Sequence, residues 1–361
     1  MDFYPVLPET RVMPWVKLTR ERMLPMRGEV SAPVGANMSP LDVIARATPP
    51  KEIRAVPLTR LMGLRERDLP KHLHKHAGDL VEAREIIISK RLNLFNERLI
   101  YPSPGAGRIL AVQGSWLLLE LDGLPTELRS LYRGTVTRVV PQFGITIEAE
   151  GAWAQGIWGA GDEAYGLLKI VAQSPNEVLT PEKIDVSARG TIVVAGMIDS
   201  IAALTGVARA RAAGLVVGSL TVNLKSIAEN LGLPVLVTEG FGRIPICTPI
   251  YGLLKQFDGS EACAVAGLTP RAGGVTLRPE VFIPRARAAN QPPAQAPTPL
   301  VNQLGATVRV MREPYLGQVG KLAQVSPRAS VLANGARAYG AEVELTSGRT
   351  FVPWSNLELI G

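Results

Sequence analysis

The sequence predicts a mostly β protein that is built from several domains. The chain has 361 residues, and because one domain commonly holds roughly 100 to 200 residues, two or three domains are expected. Glycine and proline together make 64 of the 361 residues, roughly 18% against an average of about 12%. They are spread along the whole chain, where they interrupt helices and mark turns. Short strands joined by tight loops are therefore favoured over long helices.

Residues 1–130 repeat a pattern of short strand, glycine turn and short strand. The pattern reads RGEVSAPVGANMSPLDVIAR at 27–46, AGDLVEAREII at 77–87 and SPGAGRI at 103–109, which is typical of a small sandwich of two sheets. Over about residues 22–121 it resembles the barrel-sandwich hybrid of biotinyl and lipoyl carriers and of Rnf-type electron-transport subunits. Those carriers attach their cofactor to a lysine at a hairpin tip. The two tips here read Gly-Ala-Asn from Gly35 and Gly-Ala-Gly from Gly105, without a lysine, so no cofactor is expected.

A helical insertion is predicted inside this domain, near residues 56–76. Leucine and methionine recur there at near-helical spacing, and Pro70 ends the pattern. The three histidines of the chain follow, and His72 and His76 would share one helix face, which is a two-ligand metal spacing. Lys71 and Lys75 would place positive charge beside that metal. We therefore favour a solvated basic face over a metal site.

Residues 131–188 are predicted to form a β-rich connecting region. Its most distinctive part runs from Trp153 to Tyr165 and contains Trp158 and several glycines. Glycine lets backbone approach closely, while tryptophan and tyrosine offer large amphipathic contact areas. Two interpretations stay open, a platform for a ligand or partner and an aromatic packing corner between domains. The packing corner is favoured because most large aromatic side chains are buried.

Residues 189–283 alternate between strand and helix patterns, which predicts a small α/β domain. The run GSLTVNLKSIAENLGLPVLV at 218–237 resembles the phosphohistidine segment of the swivelling domain in phosphoenolpyruvate-utilising enzymes. Asn223 stands where that family has its histidine. An amide cannot be phosphorylated as an imidazole can, so the resemblance implies a fold without phosphotransfer.

Residues 284–303 are predicted to be a linker, because the tract is rich in proline, alanine and glutamine and cannot bury a core. We expect it to run semi-extended and to hold the last domain at an adjustable distance. Residues 304–361 then carry VRV from Val308, PYLG from Pro314, Gly320 before Lys-Leu, and AEVEL from Ala341. This pattern is similar to the KOW domain, a small SH3-like barrel of NusG-type transcription factors and several ribosomal proteins.

The KOW resemblance implies an RNA or nucleoprotein contact, and the domain offers cations beside an aromatic side chain. This composition suits RNA phosphates and stacked bases. Six basic residues over 305–361 are offset by four glutamates, so solvated surface or protein docking is the rival interpretation. The candidate binding residues, all expected to be exposed, are Arg309, Arg312, Tyr315, Lys321, Arg328, Arg337 and Arg349.

Net charge, cysteine spacing and the lack of targeting or membrane-spanning patterns narrow the expected partner and cellular location only slightly. The formal net charge is +7, which suits a nucleic-acid or acidic partner without demanding one. Cys247 and Cys263 are 16 positions apart, which supports neither a zinc ribbon nor a disulfide scaffold. The N-terminal residues lack the pattern of a signal peptide, and the sequence has no apolar run of membrane-spanning length. A cytoplasmic protein without membrane insertion is expected.

These observations favour a non-catalytic, modular binding or assembly protein over an enzyme. The leading hypothesis has the KOW barrel contacting RNA or a ribonucleoprotein or transcription complex, with a further protein partner. Two alternatives remain open. One is an enzyme or enzyme-accessory protein with a ligand between the α/β domain and the Trp153 to Tyr165 tract. The other is an electron-transport or carrier accessory protein, which the barrel-sandwich resemblance implies.

Overall fold

The structure, a computed structural model, describes residues 5–92, 97–267, 269–270, 276–287 and 292–361. Strands hold 46% of the chain and helices 14%, which confirms the prediction of a mostly β protein. The strands lie in several separate sheets. Each helix in the described ranges is too short or too polar to cross a lipid bilayer.

The first 130 residues form short strands whose turns match the glycine pattern. Gly35, for example, has φ of +83°, a backbone conformation that glycine adopts without strain. The strands are β1 (Glu9–Thr10), β2 (Val12–Met23), β3 (Glu29–Val30), β4 (Asn37–Met38), β5 (Val43–Ala47), β6 (Glu52–Pro57), β7 (Leu80–Val81), β8 (Ile86–Arg91), β9 (Arg98–Pro102), β10 (Gly107–Gln113), β11 (Trp116–Leu121) and β12 (Thr126–Arg129). Helix α1 (Leu58–Met62) and a 3-10 helix (Glu66–Lys71) form the expected helical insertion.

Residues 134–284 contain the longest strands and the remaining α-helices. The strands are β13 (Gly134–Val140), β14 (Gly144–Gln155), β15 (Trp158–Ala160), β16 (Glu163–Ile170), β17 (Thr191–Ile198), β18 (Gly214–Leu220), β19 (Val235–Phe241), β20 (Glu261–Val265), β21 (Thr269–Pro270), β22 (Thr276–Leu277) and β23 (Glu280–Pro284). The helices are α2 (Ile201–Arg209), α3 (Lys225–Asn230) and α4 (Thr248–Gln256), with 3-10 turns at Pro181–Lys183, Val186–Ala188 and Val222–Leu224.

One large sheet, the central sheet, joins most of these strands in the order β15-β19-β18-β17-β16-β20-β23-β14-β13-β4. Strands β16 to β19 are parallel, and α2 and α3 connect successive members, as the alternating pattern predicts. Strand β14 pairs along its length with β2 on one edge and with β13 and then β23 on the other. The central sheet therefore combines a parallel half with an antiparallel half.

Both faces of β17, β18 and β19 in the parallel half are buried, which explains the nearly continuous apolar composition of these three strands. In β17, Val193 and Ala195 pack in the core that includes α2 and α3. Ile192 and Val194 point to the opposite face and pack in the core that includes α4. This alternation is the two-residue period of a strand placed between two layers of helix.

The central sheet crosses the domain boundaries that the sequence predicts at residues 130 and 188. Residues 12–23 belong to it through β2 and β14, and β16 pairs directly with β17 across residue 188. The region 131–188 is therefore not a connection between domains but half of a sheet. Backbone pairing between distant segments carries no local sequence signal, and the boundaries were wrong for that reason.

Residues 51–122, which we call the inserted unit, have a hydrophobic core of their own. Strands β6, β11, β10 and β7 form an antiparallel sheet, and β8 pairs with β9. Leu58 of α1 and Leu69 of the 3-10 helix pack in this core with Ile109 of β10. The chain enters and leaves past Pro49 and Gly123, where a Cβ on residue 123 would lie 2.3 Å from the Pro49 carbonyl oxygen.

The sandwich expected over residues 22–121 is divided between two cores. Strands β12, β5 and β3 form a separate three-stranded sheet. Ile44 of β5, in the first occurrence of the pattern at 27–46, packs in a core shared with β14 and β2 of the central sheet. The later occurrences, at 77–87 and 103–109, lie in the inserted unit. The occurrences thus resemble each other in sequence without packing as one sandwich.

The C-terminal sheet contains β1-β30-β24-β25-β28-β29. Its strands from residue 304 onward are β24 (Thr307–Val310), β25 (Val319–Val325), β28 (Gly340–Leu345), β29 (Gly348–Pro353) and β30 (Leu357–Ile360), with a separate hairpin of β26 (Ser330–Val331) and β27 (Arg337–Ala338) and a 3-10 turn at Trp354–Asn356. Strand β1 comes from the other end of the chain and pairs parallel with β30. This parallel pairing of β1 with β30 was not predicted from the sequence, because strand pairing between the two ends of a chain leaves no local pattern.

The described residues of the predicted linker after β23, 285–287 and 292–303, have the irregular backbone that its composition predicts, but they pack against the protein. Ala294 is buried, and the backbone N–H of Lys17 donates to the carbonyl of Gln295 at 2.9 Å. The indole N–H of Trp15 donates to the carbonyl of Pro292 at 3.1 Å. The adjustable distance expected for the last domain is therefore wrong, because strand β2 and its flanks hold the described part of the tract in place.

Candidate nucleic-acid interface

Arg309, the first of the predicted binding residues, lies inside the protein with 1% of its surface exposed. Its guanidinium forms ion pairs with Glu358 on the neighbouring strand β30 and with Glu239 on β19 of the central sheet. The prediction that Arg309 is exposed is therefore wrong. A buried charge needs a partner, and one of these partners is 70 positions away along the chain.

Four segments of the chain meet around this guanidinium. The Thr10 hydroxyl donates to the Glu358 carboxylate at 2.6 Å and accepts from Arg309 at 3.3 Å. Arg278 donates to the same hydroxyl at 2.9 Å and lies 3.3 Å from Glu358. We call Arg309, Glu239, Glu358, Thr10 and Arg278 the arginine junction. It joins the C-terminal sheet, strand β1 and the central sheet.

The ionised groups of the arginine junction stabilise one another in their charged forms. Burial works against the charged form of Arg309, but the carboxylates of Glu239 and Glu358 outweigh it and hold the pKa of Arg309 above its ordinary value. Burial likewise opposes ionisation of Glu358, yet the Arg309 guanidinium and the Thr10 hydrogen bond lower the pKa of Glu358. The carboxylate and the guanidinium therefore both stay charged at neutral pH, in a site that excludes water.

Lys321 and Arg349 are exposed, as predicted, but they lie among glutamates. In the paired strands β25, β28 and β29, Glu344 stands opposite both Lys321 and Arg349. The Arg349 guanidinium also lies 3.9 Å from the Glu342 carboxylate. Opposite charges that face each other across a sheet partly cancel the field felt by a phosphate. This face is thus a mixed surface rather than a basic one.

Arg312 and Tyr315 occupy the loop between β24 and β25. Arg312 is exposed. Tyr315 is half-buried against the core of the C-terminal sheet, and its hydroxyl oxygen lies 3.5 Å from the Thr350 hydroxyl. Its ring is therefore partly occupied by packing, which reduces the face available for stacking on a base.

The remaining two candidates, Arg328 and Arg337, share the hairpin of β26 and β27. We call residues 326–339 the basic hairpin. Both arginines are exposed, and so are Val331 and Tyr339, each with 65% of its surface exposed. The sequence has no aspartate or glutamate from residue 314 to residue 341. Tyr339 was not among the predicted residues, although its position in an acid-free segment with two arginines is a readable signal.

Trp153 lies in a second buried ion cluster. Its indole N–H donates to the carboxylate of Glu280 at 2.8 Å, and the same carboxylate accepts from Arg20 at 2.5 and 2.7 Å and from the Tyr132 hydroxyl at 2.6 Å. The Arg20 guanidinium stacks 5.3 Å from the centre of the Trp153 ring. Burial and the Glu280 charge raise the pKa of Tyr132, so the phenol remains a donor. Trp153 therefore packs inside the protein and offers no open platform.

Trp158 and Tyr165 belong to strands of the central sheet. Trp158 is on β15, which pairs with β19, and its ring packs edge-on against Phe241 at 5.1 Å. Tyr165 is half-buried on β16, where burial and the Glu261 charge raise its pKa. Because β15 and β16 are hydrogen-bonded to β19 and β17, the tract and the α/β strands are one sheet. The gap between them that the ligand-site hypothesis needs is filled by backbone pairing.

The histidines follow the 3-10 helix and do not share a helix face. His72 Nδ1 lies 3.1 Å from the Ser89 carbonyl, and His74 Nε2 lies 2.7 Å from the Ser89 hydroxyl. His76 stands beside Asp79, at 3.9 Å. Among the residues that the structure describes, no three His, Cys, Asp or Glu side chains are grouped so that they could hold a metal ion.

Comparison with known proteins adds no constraint on the function. No known family, curated protein or solved structure matches this chain.

Proposed function

We propose that this chain is a non-catalytic, modular binding and assembly protein, whose C-terminal region contacts RNA or a nucleoprotein complex. In this proposal residues 304–361 form the KOW-type SH3-like barrel, the parallel half of the central sheet is an α/β scaffold, and the N-terminal repeats derive from a barrel-sandwich hybrid. The contact is made by the basic hairpin rather than by all seven candidates.

The observation that carries the proposal is the segregation of charge within the C-terminal region. Lys321 and Arg349 face glutamates on the paired strands, whereas Arg328 and Arg337 lie in the basic hairpin, whose residues 326–339 include no aspartate or glutamate. Guanidinium groups bind phosphates bidentately and also stack on bases. The exposed ring of Tyr339 supplies a surface on which an unpaired base can stack.

The arginine junction supports the same proposal by holding the C-terminal sheet, which carries the hairpin, against the rest of the protein. Arg309 ties this sheet to β19, and Gly317 approaches the loop after β19 so closely that a Cβ there would lie 2.7 Å from the Ile244 side chain. A binding element that is already oriented loses less entropy when the complex forms.

The experiment is a titration of the full chain with a structured RNA that has an unpaired loop, repeated over a range of salt concentrations. Because phosphate contacts release counterions, affinity should fall steeply as salt rises, and removal of one phosphate-binding arginine should lower the slope of log K against log salt by about 1. Arg328→Ala and Arg337→Ala should each do so. Tyr339→Ala should weaken binding without changing the slope, since stacking carries little salt dependence.

The matched controls are Lys321→Ala and Arg349→Ala, which remove the same charge from the mixed face. They should leave affinity within about threefold, because a paired surface charge contributes little. Binding that is absent or independent of salt would refute the nucleic-acid contact. Controls that weaken binding as strongly as the hairpin variants would move the contact to the strand face.

A further inference from the structure

Among the residues that the structure describes, no strand pairs with the outer edge of β6, which is therefore an open edge of the inserted unit. β6 ends the sheet order β6-β11-β10-β7, and its residues from Glu52 to Ala55 are all exposed. Leu58 N donates to Ser115 O at 2.9 Å, so the even-numbered residues of this segment direct their backbone groups toward β11. The N–H and C=O groups of Ile53 and Ala55 therefore point to the open edge.

An open edge is a template for pairing with another strand unless its side chains oppose it. Glu52 and Arg54 lie on one face of β6, with 60% and 45% of their side chains exposed, and form an exposed ion pair with each other at 3.0 Å, which contributes little by itself. Ile53 lies on the other face and is 66% exposed. The edge thus carries one negative charge, one apolar side chain and one positive charge in succession.

We propose that two copies of this chain pair through β6, antiparallel, about a two-fold axis at Ile53. In this register Glu52 of each copy stands opposite Arg54 of the other copy, and Ile53 stands opposite Ile53. The hydrogen-bonded positions are those of Ile53 and Ala55, whose groups point outward. Glu52 and Arg54 then occupy the positions without backbone hydrogen bonds, where facing side chains come closest.

The charge pattern selects this register over its neighbours. Moving the axis to residue 52 places two glutamates opposite each other, and moving it to residue 54 places two arginines opposite each other. Like charges directly across a strand pair are destabilising. The edge is therefore complementary to itself in one register, which is the requirement for a two-fold interface between identical chains.

The pairing joins the two sheets of the inserted units into one and extends an exposed apolar face. Ala55 pairs with Leu118 on β11, and Pro57 pairs with Trp116, which is 49% exposed. The side chain of Ile53 lies on the same face as these residues, and directly opposite it on β11 is Glu120, whose carboxylate pairs with Lys51 at 2.9 Å. In the pair, the two Ile53 side chains cover each other and continue that face across the axis.

The test is sedimentation velocity of the full chain over increasing concentration, which should show a monomer and dimer in equilibrium. Glu52→Arg and Arg54→Glu should each weaken self-association at least about tenfold, because each places like charges opposite one another. The double swap E52R/R54E restores opposite charges and should bring the dissociation constant back to within about threefold. Glu127→Arg is the matched control, because it makes the same charge change in an exposed ion pair with Arg46, at 3.0 Å, on β12 and β5.

Hydrogen exchange locates the interface independently. The amides of Ile53 and Ala55 should exchange more slowly as the concentration rises, whereas those of Glu52 and Arg54 already bond β11 and should change little. A chain that stays monomeric would overturn the proposal and leave the edge to a strand of another protein. It would also be overturned by a folded double swap that fails to associate, or by a dimer in which the Ile53 and Ala55 amides exchange as fast as in the monomer.

Discussion

The C-terminal sheet and the inserted unit are joined to the central sheet in opposite ways. The C-terminal sheet shares buried charges with β19 through Arg309 and incorporates β1 from the other end of the chain. The inserted unit has its own core, and its chain enters and leaves side by side at Pro49 and Gly123. A part with its own core can be removed without exposing the rest, whereas removing one partner of a buried ion pair leaves the other charge without compensation.

The largest expected effect comes from deleting the C-terminal sheet, and deletion of the inserted unit is the comparison. Replacement of residues 51–122 by a short glycine linker should leave a cooperative unfolding transition for the remainder, within about 1 kcal/mol of the full chain, because no core is divided. Deletion of residues 304–361 removes Ile360 from the core that includes α4 and strips Glu239 of its partner. It should abolish the cooperative transition. Urea unfolding followed by tryptophan fluorescence measures the stability of both deletion variants. If both keep a cooperative transition, the proposed difference between the inserted unit and the C-terminal sheet is wrong.

Arg309→Met tests the arginine junction with a single side chain. The substitution leaves Glu239 buried without its cation and leaves Glu358 with Arg278 alone, so we expect a loss of about 3 to 5 kcal/mol in the free energy of unfolding. Arg349→Met makes the same chemical change at an exposed site and should cost less than about 1 kcal/mol. The two variants are compared by urea denaturation at neutral pH. Similar losses would show that Arg309 is not held as a buried charge.

Glu280→Gln examines the other buried ion cluster, which lies within the central sheet. The amide is nearly the same size but leaves the Arg20 guanidinium without a countercharge, and it cannot accept from Arg20, Tyr132 and Trp153 together as the carboxylate does. We expect a loss of about 1.5 to 3 kcal/mol. Near-ultraviolet circular dichroism should also change, because Trp153 loses its hydrogen bond. An unchanged spectrum and stability would contradict the role assigned to this carboxylate.

The smallest effect is a difference in acid sensitivity. The folded state lowers the pKa of Glu358, against burial, through the Arg309 charge. A lowered folded pKa contributes stability above the unfolded value of about 4.3, and this contribution is lost as pH falls through the folded pKa. Glu358→Gln should therefore be less stable than the natural chain at neutral pH and should approach it below about pH 4.3. The check is the free energy of unfolding of both chains, measured from pH 7 to pH 3. A constant difference between them would contradict the lowered pKa of Glu358.

Much of the local structure was readable from the sequence because its causes are local. The turn at Gly35 and the alternation of strands and helices after residue 189 predicted elements that the structure contains, whereas Pro70, expected to end the helical pattern, lies inside the 3-10 helix. The functional sites were predicted less well, because the residues that meet there are far apart in the sequence. Arg309 and Arg328 were both expected to be exposed, yet Arg309 is buried and Arg328 exposed, because Glu239 of a distant strand pairs with Arg309.

The sequence by itself determined a mostly β chain, the positions of its turns and helices, and an acid-free segment from residue 314 to residue 341. These properties follow from backbone preferences, hydrophobic periodicity and composition, which act over a few residues. Only the tertiary structure decided that Thr10, Glu239, Arg309 and Glu358 meet, and that Trp153 turns inward to Glu280. Those pairings join residues far apart in the chain, and their energies come from excluding water around charges that are separate in the unfolded chain.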